Sequence, residues 1–168
     1  MFVRNALIFK WTLYALAALL CLVVQGIFLQ RLTIWGVIPF LYPLLAVIPA
    51  TYEGPTAGTV FALAAGIVCD LVLPDAFPCL YTLIFPAVGL LSGLLARGVL
   101  RAGFLCSLAG SAAAFLILDT FRCLLLRLGR QNAMGTGLSI MGREFLITAP
   151  LVIPMTLLFY AVHERTAD

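Results

Sequence analysis

Three acidic side chains stand where acids are costly. Asp70 falls in the otherwise apolar run Thr56–Leu73, Asp119 follows the apolar run Gly103–Leu118, and Glu53 precedes Gly54-Pro55. A charge inside a membrane is expensive, so each such residue is a candidate site. Asp70 has two readings. It is an interfacial carboxylate that caps or hydrogen-bonds the turn toward Asp75, or it contacts a partner or a neighbouring helix. Asp119 and Arg122 are three residues apart, which suits a pair on one helix face at the membrane interface. Glu53 is placed to interact favourably with the N-terminus of the helix that begins after Gly54. Arg97 and Arg101 read as a basic stop after a span.

Other chemistries find little material. One histidine, His163, lies near the end of the chain, and no Cys-x-x-Cys occurs, so no metal site is expected. A single histidine also leaves no Ser–His–Asp or Cys–His arrangement to assemble. There is no phosphate loop and no dinucleotide fingerprint. Asp70 and Asp119 could share a proton as an aspartyl dyad. However, Asp70 follows Ile67-Val68-Cys69, not the glycine of presenilin-like proteases, and the asparagine signatures of lipoprotein signal peptidase are absent. The expectation is a protein without catalytic residues, cofactor or metal. Cys21, Cys69, Cys106 and Cys123 sit in apolar stretches and read as packing residues; Cys69 and Cys79 flank one turn and could form a disulfide if that turn faces an oxidising side.

The composition says what must position these residues. Of 168 residues, 64% are apolar and 10% charged, with a mean hydropathy of +1.15. A soluble domain is about 45–50% apolar and about 25% charged. A short chain cannot hide so much apolar side chain from water. There is no collagen-like repeat or polar tract, and a net charge of +3 with scattered arginines argues against a nucleic-acid partner. The expected fold is an all-α integral membrane protein, one polytopic domain over residues 1–168 in contact with membrane lipid.

Six stretches approach the length of about 20 residues that a spanning helix needs. They are Trp11–Leu29, Leu32–Tyr52, Thr56–Leu73, Cys79–Ala96, Gly103–Leu118 (extendable to Leu126) and Phe145–Val162. The first lacks a small-x-small exit and reads as a retained span rather than a signal peptide. The count falls to five if the second, with Pro39, Pro43 and Pro49, does not fully span. The polar segment Arg127–Glu144 is a loop or an interfacial helix. Arg4 and Lys10 argue for a cytoplasmic N-terminus. Basic residues at the two faces are otherwise nearly balanced.

Small residues supply the contacts. Gly54, Gly58, Ala62, Gly66 and Asp70 recur every four residues and share one stripe of a helix. Gly89 and Gly93 repeat the idea on the next segment, and Ala102, Cys106, Gly110 and Ala114 on the one after. In lipid, helices associate by close backbone approach at such residues. The stripes pack this chain's own core, or one edge docks another membrane protein. Pro39 and Pro43 should kink or break the second segment, Pro55 should start the third helix, and Pro150 and Pro154 should bend the last. Pro74 and Pro78 bound a tight turn.

The run Tyr52-Glu53-Gly54-Pro55-Thr56-Ala57-Gly58, then Phe61, Gly66 and Asp70, a short proline-containing turn and a glycine-bearing span to Gly89, resembles the rod shape-determining protein MreD family. The motif covers about Tyr52–Arg101. The Pro74-Asp75-Ala76-Phe77-Pro78 turn lacks the glycine often found there, and Arg127–Glu144 is more polar than the family pattern. The resemblance implies a non-enzymatic scaffold of bacterial cell elongation in the inner (cytoplasmic) membrane. It would act with MreC and MreB, near RodA and a penicillin-binding transpeptidase. It also implies a fold similar to the six-helix substrate-binding subunits of energy-coupling-factor vitamin transporters. Gly58, Gly66 and Asp70 are the family-matching positions, structural or partner-facing. The alternative is such a transporter subunit itself. That role needs a polar pocket at one membrane face, and no cluster of candidates is visible in the sequence. It also favours an Ala-x-x-x-Ala surface on the first helix, whereas here Ala15 is followed at four by Leu19, Ala17 by Cys21 and Ala18 by Leu22.

Overall fold

The computed structural model describes residues 2–73, 79–98, 100–128 and 142–166. The expected turn Pro74–Pro78 and residues 129–141 of the polar segment lie outside them, as do the side chains of Arg4 and Arg127. Among the described residues the chain is helical, apart from turns and one isolated antiparallel bridge between Ile34 and Val37. Five helical segments are long and apolar enough to cross a membrane: Leu7–Arg31, Pro55–Val72, Leu80–Gly98, Phe104–Leu125 and Gly142–Thr166. This architecture is consistent with a multi-pass membrane protein.

The first helix, α1, runs Phe2–Ile27, followed by a 3-10 turn at Leu29–Arg31. The expected second span, Leu32–Tyr52, is not one helix. Residues 32–41 are irregular, and α2 occupies Tyr42–Glu53. Its 12 residues reach about 18 Å at 1.5 Å per residue, too short to span alone. Proline explains the break. Pro39 cannot donate a helical hydrogen bond and disfavours helix before it, whereas Pro43 is tolerated because it sits in the first turn. Pro49 lies inside α2, where it removes one further bond.

Helix α3 spans Pro55–Val72 and begins at the proline that the sequence marks. Helix α4 spans Leu80–Gly98 and carries Pro86 in its interior. Helix α5 spans Phe104–Leu128, so Asp119 and Arg122 lie within a helix rather than beyond its end. The last span is helical over residues 142–148, tightens to 3-10 at Ala149–Leu151, and continues as α6, Val152–Thr166. The irregular turn falls at Pro150, whose missing N–H cannot continue the ladder.

Side-chain contacts give the path. Lys10 and Tyr14 of α1 and His163 of α6 all meet Glu53 at the end of α2. At the opposite end, Gln25 of α1 and Thr148 of the last span hold the segment entering α2. Both termini of the described chain therefore lie toward the Glu53 end. Among the described residues the chain passes six times between the two ends, five times as a span-length helix and once through α2. Tyr42 to Thr51 are all buried, so α2 forms the centre of the bundle. Leucines on the other helices, such as Leu71, Leu83, Leu105 and Leu116, are exposed on the outside, as lipid contact requires.

Candidate functional site

The residues singled out on α3 and α4 close a helical hairpin. A Cβ on Gly58 would overlap the Ala50 backbone of α2. One on Gly66 would come within 2.7 Å of the Tyr81 carbonyl oxygen on α4. One on Gly89 would lie 2.7 Å from Ala62 Cβ, and one on Gly93 2.6 Å from Pro55 Cα. Gly54 adopts φ +87°, a conformation that L side chains rarely adopt, beside the Arg97 guanidinium. Ala62, Gly58, Gly66, Gly89 and Gly93 are all buried, facing helices of this same chain.

Asp70 finishes the hairpin. Its Oδ1 accepts the Tyr81 N–H at 3.1 Å; its Oδ2 accepts the Thr82 N–H at 2.8 Å and the Thr82 hydroxyl at 2.5 Å. The first N–H groups of a helix have no intrahelical partner, and an anion is favourable there. Asp70 on α3 thus caps α4 from a neighbouring helix. Cys69 is buried and Cys79 exposed, and both are free thiols.

At the Glu53 end the carboxylate is a hub. Lys10 Nζ is 2.5 Å from Oε2; Tyr14 donates its hydroxyl to Oε1 at 2.8 Å, and His163 Nδ1 lies 2.9 Å from Oε1. The Glu53 side chain is only 8% exposed. It belongs to the last turn of α2 and serves the ends of α1 and α6, which corrects the expectation that it would serve the N-terminus of α3. Glu53 lies outside the five span-length segments. Burial works to raise its proton affinity, but hydrogen bonds from Lys10, His163 and Tyr14 outweigh that and hold the carboxyl below its usual range. Tyr52 packs its ring against His163, and Tyr14 stacks on Phe159.

The opposite end is more open. Gln25 is 2% exposed and pins the segment entering α2: its Nε2 donates to the Pro39 carbonyl at 2.8 Å, and its Oε1 accepts the Leu41 N–H at 3.0 Å. Thr148 accepts the Phe40 N–H at 3.1 Å. Arg122 donates to the Tyr81 hydroxyl, and its guanidinium lies 5.3 Å from the Phe40 ring centroid and 5.7 Å from that of Tyr81. Asp119 is 5% exposed and interacts electrostatically with Arg122 and with Glu144. Above these groups is a cavity of about 340 Å³, lined by Gln25, Gln30, Phe40, Tyr42, Arg122 and Glu144, with Gly36, Val37, Ile38 and Leu73 at its edge.

Asp119 and Arg122 interact electrostatically with each other and with Glu144 of the last span. Asp70 has different partners. Gln25 and Glu144 are not among the residues the sequence singles out, and His163 stands out there only as a lone histidine unable to build a metal or catalytic site. The signals for them are faint: a lone glutamine inside an apolar helix, and a histidine one turn from the end of the chain. No family model, curated protein or solved structure matches this chain.

Proposed function

We propose that this chain is a non-enzymatic membrane scaffold of the MreD type, working in the cell-elongation machinery of a rod-shaped bacterium. The observation that carries the reading is that the residues behind the resemblance make the close contacts around α3: Gly66, Asp70 and Gly89 close the hairpin with α4, Gly54 turns the chain beside Arg97, and Gly58 seats α3 against α2. In this reading the α3–α4 unit is the rigid frame and the partners MreC, MreB, RodA and a penicillin-binding transpeptidase are organised around it in the inner membrane. The apolar groove between α1 and α6, about 580 Å³ and lined by residues such as Leu16, Leu20 and Leu158, offers a partner's spanning helix a place to lie. Co-expression with MreC and affinity purification tests the reading: MreC should be retained, and depletion in a rod-shaped host should round or swell the cells. Failure to retain MreC together with unchanged cell width would sink it.

The cavity at the Arg122 end favours a second reading, a substrate-binding subunit of the energy-coupling-factor type, because a ligand site needs a concave space with a few convergent polar groups. A vitamin held tightly through purification would favour that reading over the scaffold.

A further inference from the structure

We infer that the apolar groove between α1 and α6 seats an acyl chain of one anionic phospholipid, with Arg165 holding the lipid phosphate. The inference does not depend on the scaffold reading. That reading offers the same groove to a partner's spanning helix, and the depth and charge of the groove decide for the lipid.

The groove follows from two helical stripes. On α1, Leu13, Ala17 and Leu20 recur at intervals of four and three; on α6, Leu158, Ala161 and Arg165 recur at three and four. The two helices run antiparallel, with Tyr14 stacked on Phe159 and the Cys21 thiol 3.1 Å from the Met155 sulfur. Ala17 and Val162 are buried, whereas Leu16 and Leu20 stand more than half exposed. Buried side chains thus form a floor beside leucine walls, and the trough of about 580 Å³ opens toward lipid. Its lining on α1 runs from Leu13 to Val23, which covers about 15 Å at 1.5 Å per residue. That is half of a hydrocarbon core of about 30 Å. A spanning helix would lie in the groove over half its length, whereas the acyl chain of one leaflet fits it end to end.

In a bilayer, apolar surface gains little by meeting an apolar tail, so the trough alone selects no lipid. The charge at its mouth does. Arg165 is the one charged residue among those lining the groove, and it lies in the last turn of α6, toward the Glu53 end. It is exposed and makes no hydrogen bond or ion pair among the described residues. Lys10, about one turn before Leu13, is already bound to Glu53. Glu164 is exposed beside Arg165 and does not line the groove. An arginine stem lies along apolar surface while its head reaches the headgroup layer, and the planar fork matches phosphate oxygens. On its other side α1 faces a second apolar crevice, about 260 Å³, lined by residues such as Leu22, Phe61 and Ala64 and by no charged side chain. That crevice offers a chain a similar surface without a charge, and is the internal control.

The test uses the full chain in detergent, incubated with an equimolar mixture of phosphatidylglycerol and phosphatidylethanolamine with identical acyl chains. Native mass spectrometry counts the lipids retained. The parent should hold one phosphatidylglycerol at least about tenfold more strongly than phosphatidylethanolamine, the scale of one charge-assisted hydrogen bond. Arg165→Gln should abolish that preference with an unchanged melting temperature. Arg165→Lys, which keeps the charge and loses the fork, should keep part of it. Ala161→Leu, which fills the trough, should lower retention of both lipids, whereas Ala64→Leu in the second crevice should leave the preference as in the parent. The inference is overturned if the parent holds both lipids equally, if Arg165→Gln keeps the preference, or if Ala161→Leu retains phosphatidylglycerol like the parent. Co-expressed MreC tells the occupants apart. If Ala161→Leu loses MreC but keeps the lipid, the groove belongs to a partner's helix, and the scaffold reading stands without the inference. If Ala161→Leu loses the lipid, the inference is supported whether or not MreC binds, and the scaffold reading is left to its own test.

Discussion

Glu53 at one end of the bundle and Glu144 at the other are both acids brought beside a base by helices distant in sequence. Around Glu53, Lys10, Tyr14 and His163 occupy the carboxylate oxygens, and the contacts tie α1, α2 and α6 into a closed knot. Around Glu144, Arg122 and Asp119 act electrostatically, and a cavity of about 340 Å³ is lined by Glu144, Arg122 and the segment entering α2. The difference lies in what approaches the acid. A lysine, a phenol and an imidazole converge on Glu53 from two helices and fill the space. The Arg122 end is instead spanned by ten irregular residues, 32–41, that arch over the helix ends and are held from below by Gln25. One end is built for closure and the other leaves room for a guest.

The largest effect should come from opening the closed end. Glu53→Leu leaves Lys10 mostly buried without its acid, at 22% side-chain exposure. Removing one member of a buried pair costs roughly 3–5 kcal/mol, and partial exposure of Lys10 and His163 reduces that to about 2–3 kcal/mol. Denaturation in a fixed detergent should read the loss directly, and a change below measurement error would break the contrast. The same acid gives a pH signature. Its folded carboxyl lies below the usual range, so its stabilisation is fully present above the unfolded value of about 4.3 and is lost as pH falls through the depressed folded value. The parent should lose stability on acidification through that window. Glu53→Gln should show a flatter profile over the same range.

Asp70→Ala should have a smaller effect. It removes a cap from the first turn of α4, worth about 1–2 kcal/mol. It acts at the Arg122 end, because Asp70 holds the N–H groups of Tyr81 and Thr82 and Tyr81 in turn bonds Arg122, whereas the Glu53 hub lies at the other end. The pH-dependent stability that Glu53 supplies should therefore survive the change; if it is lost while the fold is retained, the two ends are coupled through the hairpin and are not the independent regions contrasted above.

How much of this could be read from the residues depends on how local each feature is. A spanning helix is a property of about 20 consecutive residues, so Pro55–Val72 and Leu80–Gly98 are evident from the apolar runs. The glycine seats are also local, because spacing at four fixes a shared face. The partners of Glu53 are not local: Tyr14 is 39 residues away and His163 is 110. Nothing near Glu53 in sequence distinguishes a hub from a residue that faces the next helix. The cavity is less legible still, since Gln25, Arg122 and Glu144 belong to three different segments and meet only after the bundle forms. The second segment fell between: its prolines announce a break, but the burial of the short α2 at the centre follows from the packing of its neighbours.

The smallest expected effect has the opposite sign. Trp35 at φ +52° is an aromatic residue in a region that asparagine enters far more easily. The residue is 71% exposed, so removal of its side chain takes little from the core. Trp35→Asn should therefore raise stability in detergent, by up to about 1 kcal/mol, by relieving the turn that rims the cavity. In a bilayer the outcome should differ, because tryptophan favours the membrane–water interface and its loss removes that anchorage. Measuring the variant in both media separates the two effects. A loss of stability in detergent would show that the tryptophan side chain is itself part of the packing, and that the Arg122 end is more closed than its cavity suggests.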